Sequence, residues 1–113
     1  MPRQNLKAET IPVGVARAIA ELGQNIALAR GRRGLRQVDL ARKTGLAMGT
    51  VSRIERGSPT TAISAYLTIL WALGLEREYE GLASAQGDDE GLALERARAP
   101  SRIRVKEALD ADF

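Results

Sequence analysis

The chain of 113 residues has no cysteine and no histidine. Without cysteine there is no disulfide framework and no thiolate metal cluster. Without histidine the commonest zinc ligand is missing, and so is the usual general base near neutral pH. No stretch approaches the roughly 18 consecutive apolar residues of a membrane span, and residues 1–10 lack the apolar core of a secretory signal. A reducing cytoplasmic location is therefore expected, with no membrane association. Aromatic residues make up only 4% of the chain. Strict apolar–polar alternation is confined to Arg102-Ile103-Arg104-Val105-Lys106, which leaves an all-α fold as the expectation.

Apolar residues are plentiful, at 44% of the chain, enough for one domain with a modest core and no covalent staple. The net charge of +3 hides an asymmetry: residues 1–58 hold eleven Lys/Arg against four Asp/Glu, and residues 59–113 hold six against ten. A basic half fits a polyanion such as nucleic acid, and it equally fits an ordinary solvated surface.

Spacing sets the helices. Val15, Ile19, Leu22, Ile26 and Ala29 form an amphipathic stripe between Pro12 and Gly34, which predicts a first helix near 12–33. A second helix is expected over 37–44, stopped by Gly45, and a third over 48–56, stopped by Gly57. The fourth follows Ser58-Pro59, carries Ile63, Tyr66, Leu67, Leu70 and Leu73 on one face, and ends at Gly74; a shorter fifth, at about 76–85, carries Tyr79 and Leu82. "QGDDEG" at 86–91 reads as a linker, and 91–99 as a short helix ended by Pro100. The expected organisation is an arm at 1–11, a helical domain at 12–85 and a charged tail at 86–113. The tail is read as disordered in isolation or as a short strand.

The stretch "RKTGLAMGTVSRIERG" at 42–57 joins two short helices through about three residues. So short a join forces a steep crossing, and Gly45 stands where a left-handed backbone is cheap only for glycine. Ala41 supplies a small residue at the crossing, with Leu40, Leu46, Val51 and Ile54 around it. This set is more specific than a generic stripe: it is the constraint set of a helix-turn-helix, whose first helix braces the second for presentation in a major groove.

The segment "GLRQVDLARKTGLAMGTVSRIERG" resembles the Xre/Cro-type helix-turn-helix family, over about residues 17–75. The resemblance implies a five-helix, lambda-repressor-like domain with a C-terminal extension, acting as a DNA-binding repressor without cofactor. It places Met48, Gly49 and Arg53 at base-facing positions, with Ala47 beside them against thymine methyls. It makes Gln37 a phosphate contact and puts Thr50 and Ser52 against the DNA backbone. Arg32, Arg33, Arg36, Lys43 and Arg56 join the phosphate-facing set, although cations at helix C-termini are also favoured by the helix dipole alone. Arg30 and Glu55 fall where the family pairs an arginine of the first helix with a glutamate of the third.

The chain departs from the family at Arg36, Ala47 and Ala62, where Ser or Thr commonly caps helices two, three and four; each missing cap costs about 1 kcal/mol. Thr60 or Thr61 is an alternative cap for helix four. Gly49 removes a side chain that in the family often reads adenine, which shifts readout towards Arg53, thymine methyls and DNA shape.

Proteins of this geometry act as two-fold dimers on half-sites about 34–36 Å apart. The candidate dimer surface is Trp71, Leu75, Tyr79 and Leu82, with Trp71 fitting core and interface equally. A compact domain followed by a short charged extension is similar to HipB-like antitoxins, which implies a HipA-type kinase toxin as partner. The tail itself has no sharp motif: Phe113 fits an aromatic anchor or a frayed terminus, and Ile103 and Val105 fit a strand added to a twin or a partner. A protein-interaction module that neutralises a partner without reading DNA is the alternative. An enzyme is disfavoured: there is no phosphate loop and no activated nucleophile, and Asp88, Asp89 and Glu90 read as a solvated run.

Overall fold

The computed structural model describes residues 7–98. The expectations for Ile103, Val105 and Phe113 lie outside the described residues. The elements in chain order are a 3-10 turn at Ala8–Thr10, α1 (Val13–Arg32), α2 (Gln37–Thr44), α3 (Met48–Glu55), α4 (Ile63–Ala72), a 3-10 turn at Glu76–Glu78, and α5 (Asp89–Arg98). All regular structure among the described residues is helical, as composition and spacing predict. The chain divides into two compact units between Tyr79 and Glu80.

In the first unit the core is built from Ile26 and Ala29 of α1, Leu40 and Ala41 of α2, Val51 and Ile54 of α3, and Ala65, Tyr66, Ile69 and Leu70 of α4. Ile19, Leu22, Leu35, Leu46, Leu67, Leu75 and Tyr79 pack around it. The stripe of α1 is therefore shorter than the spacing suggests. Val15 is exposed, as is Val13, because among the described residues nothing covers the first turn of that helix.

Helix α4 is also turned relative to the expectation. Its inner arc is Ala65, Tyr66, Ile69, Leu70 and Leu73, which leaves Ile63 on the outer side with the half-buried Leu67 and with Trp71. These three recur every fourth residue, the spacing of a single helix face.

Two close approaches fix the helices. Gly23 is buried in α1, and a Cβ there would lie 2.5 Å from the Ile54 carbonyl oxygen and 2.8 Å from the Gly57 nitrogen. Gly57 has a left-handed backbone (φ 76°), and a Cβ on it would lie 2.6 Å from the Cα of Ala20. The end of α3 thus rests against the backbone of α1 with no side chain between them. Spacing marks Gly57 only as a helix stop and gives no sign of the contact at Gly23.

The hydroxyl of Tyr66 donates to the Ser58 carbonyl at 2.6 Å and fastens the loop between α3 and α4. Burial raises the Tyr66 phenol above its ordinary value, so the bond holds as a neutral hydroxyl.

The N-caps of α2, α3 and α4 are Arg36, Ala47 and Ala62, and none makes a side-chain cap. Neither Thr60 nor Thr61 replaces Ala62: the Thr61 hydroxyl donates to Ser58 Oγ at 2.9 Å instead.

A helix over 76–85 does not form. One 3-10 turn, Glu76–Glu78, precedes irregular turns, and Tyr79 reaches back to the core. Glu76 and Glu80 would repel at a spacing of four, and Gly81 has a left-handed backbone that ends any helix begun there.

In the second unit, α5 begins at Asp89, inside the stretch read as a linker. Asp88, Asp89 and Glu90 are all exposed, as read from sequence, and Asp88 also caps the helix: its Oδ1 accepts the Gly91 backbone N–H at 3.0 Å, and its carbonyl accepts that of Leu92. This is an N-cap with Asp89 and Glu90 in the first turn, where the helix dipole favours acidic residues.

Candidate nucleic-acid interface

The site is seated from below. Val51 and Ile54 of α3 and Leu40 of α2 are fully buried, and Ala41 at the crossing is nearly so. Gly45 adopts φ 76°, the left-handed conformation the short join requires, and its N–H bonds the Ala41 carbonyl at 2.9 Å. Leu46 packs against the core immediately after the turn.

One carboxylate ties three helices. Glu55 at the end of α3 accepts Arg30 Nε of α1 at 2.6 Å and Nη2 at 3.0 Å, a two-pronged pair, and its Oε1 also accepts Gln37 Nε2 from the start of α2 at 2.9 Å. Arg30 Nη1 then reaches the Leu35 carbonyl at 2.7 Å in the α1–α2 connection. The Glu55 side chain is only 6% exposed. Burial alone raises such a carboxyl, yet the hydrogen bonds from Arg30 and Gln37, with the Arg30 charge, outweigh it and hold Glu55 below the usual carboxylate range. Gln37, expected on a phosphate, is engaged here in fastening α2 to α3.

The outer face carries the base-facing candidates. Ala47, Met48, Gly49 and Arg53 are all exposed, Met48 at 53%. Arg53 Nη2 donates to the Thr50 hydroxyl at 3.1 Å, and Arg56 Nη1 donates to the Ser52 hydroxyl. Thr50 and Ser52, both half-buried, thus each hold an arginine one turn along the chain.

The remaining basic candidates are placed differently from one another. Arg32 and Lys43 are exposed near the ends of α1 and α2. Arg33 is exposed too, but its Nη1 donates to the Ala29 carbonyl at 2.8 Å, serving the last turn of α1. Arg36 Nε and Nη2 both reach the Asp39 carboxylate at 3.1 Å, and Asp39 also accepts the Arg36 backbone N–H at 2.8 Å. These bonds, led by the one from the Arg36 side chain, hold the Asp39 carboxyl below its ordinary value. Asp39 supplies one half of a capping box by accepting the N-cap N–H; the other half, an acceptor for the Asp39 N–H, is missing because the Arg36 guanidinium has no acceptor. The spacing of Arg36 and Asp39 carried that signal in the sequence, but the pattern sought there was Ser or Thr at the cap.

The dimer candidates divide. Trp71 is 60% exposed, which places it outside the core, whereas Leu75 and Tyr79 pack against the core. Leu82 is exposed and belongs to the second unit.

Two eight-residue helices crossing at a left-handed glycine, the second buried on one side and basic on the other, define a helix-turn-helix unit of the class found in DNA-binding regulators. Residues 21–80, just over half of the chain, match the family model described as "Helix-turn-helix domain", and the chain belongs to that family. Among curated proteins and among solved structures there is no significant match. No helix of the described residues is long and apolar enough to cross a membrane, and they contain no grouping of acidic side chains able to hold a metal ion.

Proposed function

We propose that this protein is a sequence-specific DNA-binding repressor of the Xre/Cro type, with α3 as its recognition helix. The observation that carries the reading is the two-sidedness of α3. Val51 and Ile54 are sealed in the core, while Met48, Gly49 and Arg53 stand in solvent above the Arg30–Glu55–Gln37 brace. Arg32, Arg36, Lys43 and Arg56 are the phosphate contacts, and a homodimer places two copies of α3 in successive major grooves. The exposed Trp71 supports α4 as part of the dimer surface.

A gel-shift with the DNA upstream of its own gene, against a scrambled duplex of equal length, tests this. At physiological salt the specific duplex should bind about a thousandfold more tightly; equal affinity overturns the proposal. Arg36→Ala and Arg56→Ala should each lower the salt slope by about one unit and leave sequence preference intact.

The same reading extends to an antitoxin that represses its own operon and binds a HipA-type kinase toxin. What supports this is a compact helix-turn-helix domain followed by a charged extension. Co-purification with the neighbouring gene's product is its test. Gly49, which offers no side chain to a base edge, favours a second reading, a module that neutralises a partner without reading DNA. A partner complex unaffected by Arg53→Ala, with no duplex preference, would establish that one.

A further inference from the structure

The arrangement at the start of α3 assigns a use to the residue that looks like a loss. A Cβ built on Gly49 meets one neighbour within 4 Å, Arg53 Nη1 at 3.5 Å. The Arg53 guanidinium therefore lies across the space that a longer side chain at position 49 would occupy. Helical side chains lean towards the N-terminus of their helix, so an arginine at i+4 covers the turn before its own Cα. Here that lean is fixed by the bond from Nη2 to Thr50 Oγ1, at 3.1 Å.

We propose that Gly49, Thr50 and Arg53 form a single base-reading element: the vacancy at 49 admits the Arg53 guanidinium, Thr50 positions it, and the arginine reads a guanine edge in the major groove. This rests on the DNA-reading function proposed above.

Three observations favour it. Recognition helices meet base edges through their N-terminal residues, and the fold-back carries the Arg53 head one turn towards that end, about 5.4 Å. Guanine O6 and N7 require two N–H donors, and an arginine has five, of which Thr50 takes one. The neighbouring arginines stand away from the N-terminal turn of α3: Arg36 is at the N-cap of α2 with its Nε and Nη2 on Asp39, and Arg56 follows the last residue of α3. Thr50 is then a positioning residue for base readout, in addition to any phosphate it meets.

The experiment is selection of duplexes from a randomised pool by the full chain. Titrations on the selected site and on its single-base variants follow. The natural protein should prefer guanine at one position of each half-site by about tenfold or more. Arg53→Ala should abolish that preference and keep the preferences at other positions. Gly49→Ala adds only a methyl in ordinary contact with Nη1 and should retain it, whereas Gly49→Leu fills the space and should lose it while remaining helical by circular dichroism. Thr50→Val should weaken binding at the guanine alone, and Thr50→Ser should restore it. A Thr50→Val loss that is uniform over all sequences marks a phosphate contact only and overturns the positioning role. A guanine preference unchanged in Arg53→Ala or Gly49→Leu overturns this proposal and leaves DNA reading standing. Absence of any sequence preference overturns both.

Discussion

Helices α3 and α4 lie in the same folded unit and offer opposite faces to water. The outer side of α3 carries Met48, Gly49 and Arg53, and its inner side Val51 and Ile54. Helix α4, "ISAYLTILWA", has no charged residue, and leaves Ile63 and Trp71 exposed at 68% and 60%. An exposed arginine is well solvated until a polyanion arrives. An exposed indole and isoleucine forgo roughly 25 cal/mol for each Å² left in water. The two helices also differ in how they are held. α3 is pinned by backbone contact at Gly23 and Gly57 and by a shared carboxylate, whereas α4 is held by apolar burial together with the Tyr66 hydroxyl.

The contrast is broken most severely at Gly23. Gly23→Val places its side chain against the Ile54 carbonyl and must part α1 from α3, at a cost of about 3 kcal/mol or more. Thermal melts should show the loss, and no DNA binding should survive at the melted fraction. A melting temperature within a degree of the natural protein's would refute the pinned seat of α3.

Glu55→Gln comes next. It leaves the Arg30 guanidinium, whose side chain is only 19% exposed, without its counter-charge, for about 2 kcal/mol. The pH dependence has a defined sign. The folded-state carboxyl is held low, so its contribution is present above the unfolded carboxylate range and is lost as pH falls through the folded value. Denaturant midpoints should therefore show the natural protein's advantage over Glu55→Gln shrinking as pH falls below about 5.

A smaller change sharpens the comparison from the other side. Ala62→Ser supplies the missing N-cap of α4 and should add about 1 kcal/mol, read as a rise in denaturant midpoint. Trp71→Ala should shift monomer stability by no more than about 0.5 kcal/mol, because the ring is already mostly in water. Its effect should appear in sedimentation, as loss of self-association at concentrations where the natural chain pairs.

The helix-turn-helix was legible because its constraints are local. Gly45 and the apolar spacing of Leu40, Ala41, Leu46, Val51 and Ile54 all lie within fifteen residues, and the crossing follows from them. The Gln37–Glu55 bond spans eighteen positions and depends on the crossing being made first, so nothing in the residue types announced it. Gly23 was illegible for a similar reason. A glycine inside a helix costs about 1 kcal/mol against alanine, and only the approach of a second backbone shows why it stands there. The helix expected over 76–85 fails because the apolar spacing of Tyr79 and Leu82 does not outweigh the repelling glutamates, whereas the one expected over 91–99 forms as Asp89–Arg98, starting two residues earlier because Asp88 caps it. On the outer side of α3, sequence could name Arg53 but not its fold-back over Gly49, which is a matter of rotamer.

The position of Trp71 has an optical consequence. It is the chain's one tryptophan, and its indole already sits mostly in water when the protein is folded. Its emission should change little as the helices melt, and should move to shorter wavelength when another surface takes the water away. The molecule thus carries a fluorophore nearly silent to unfolding and tuned to company.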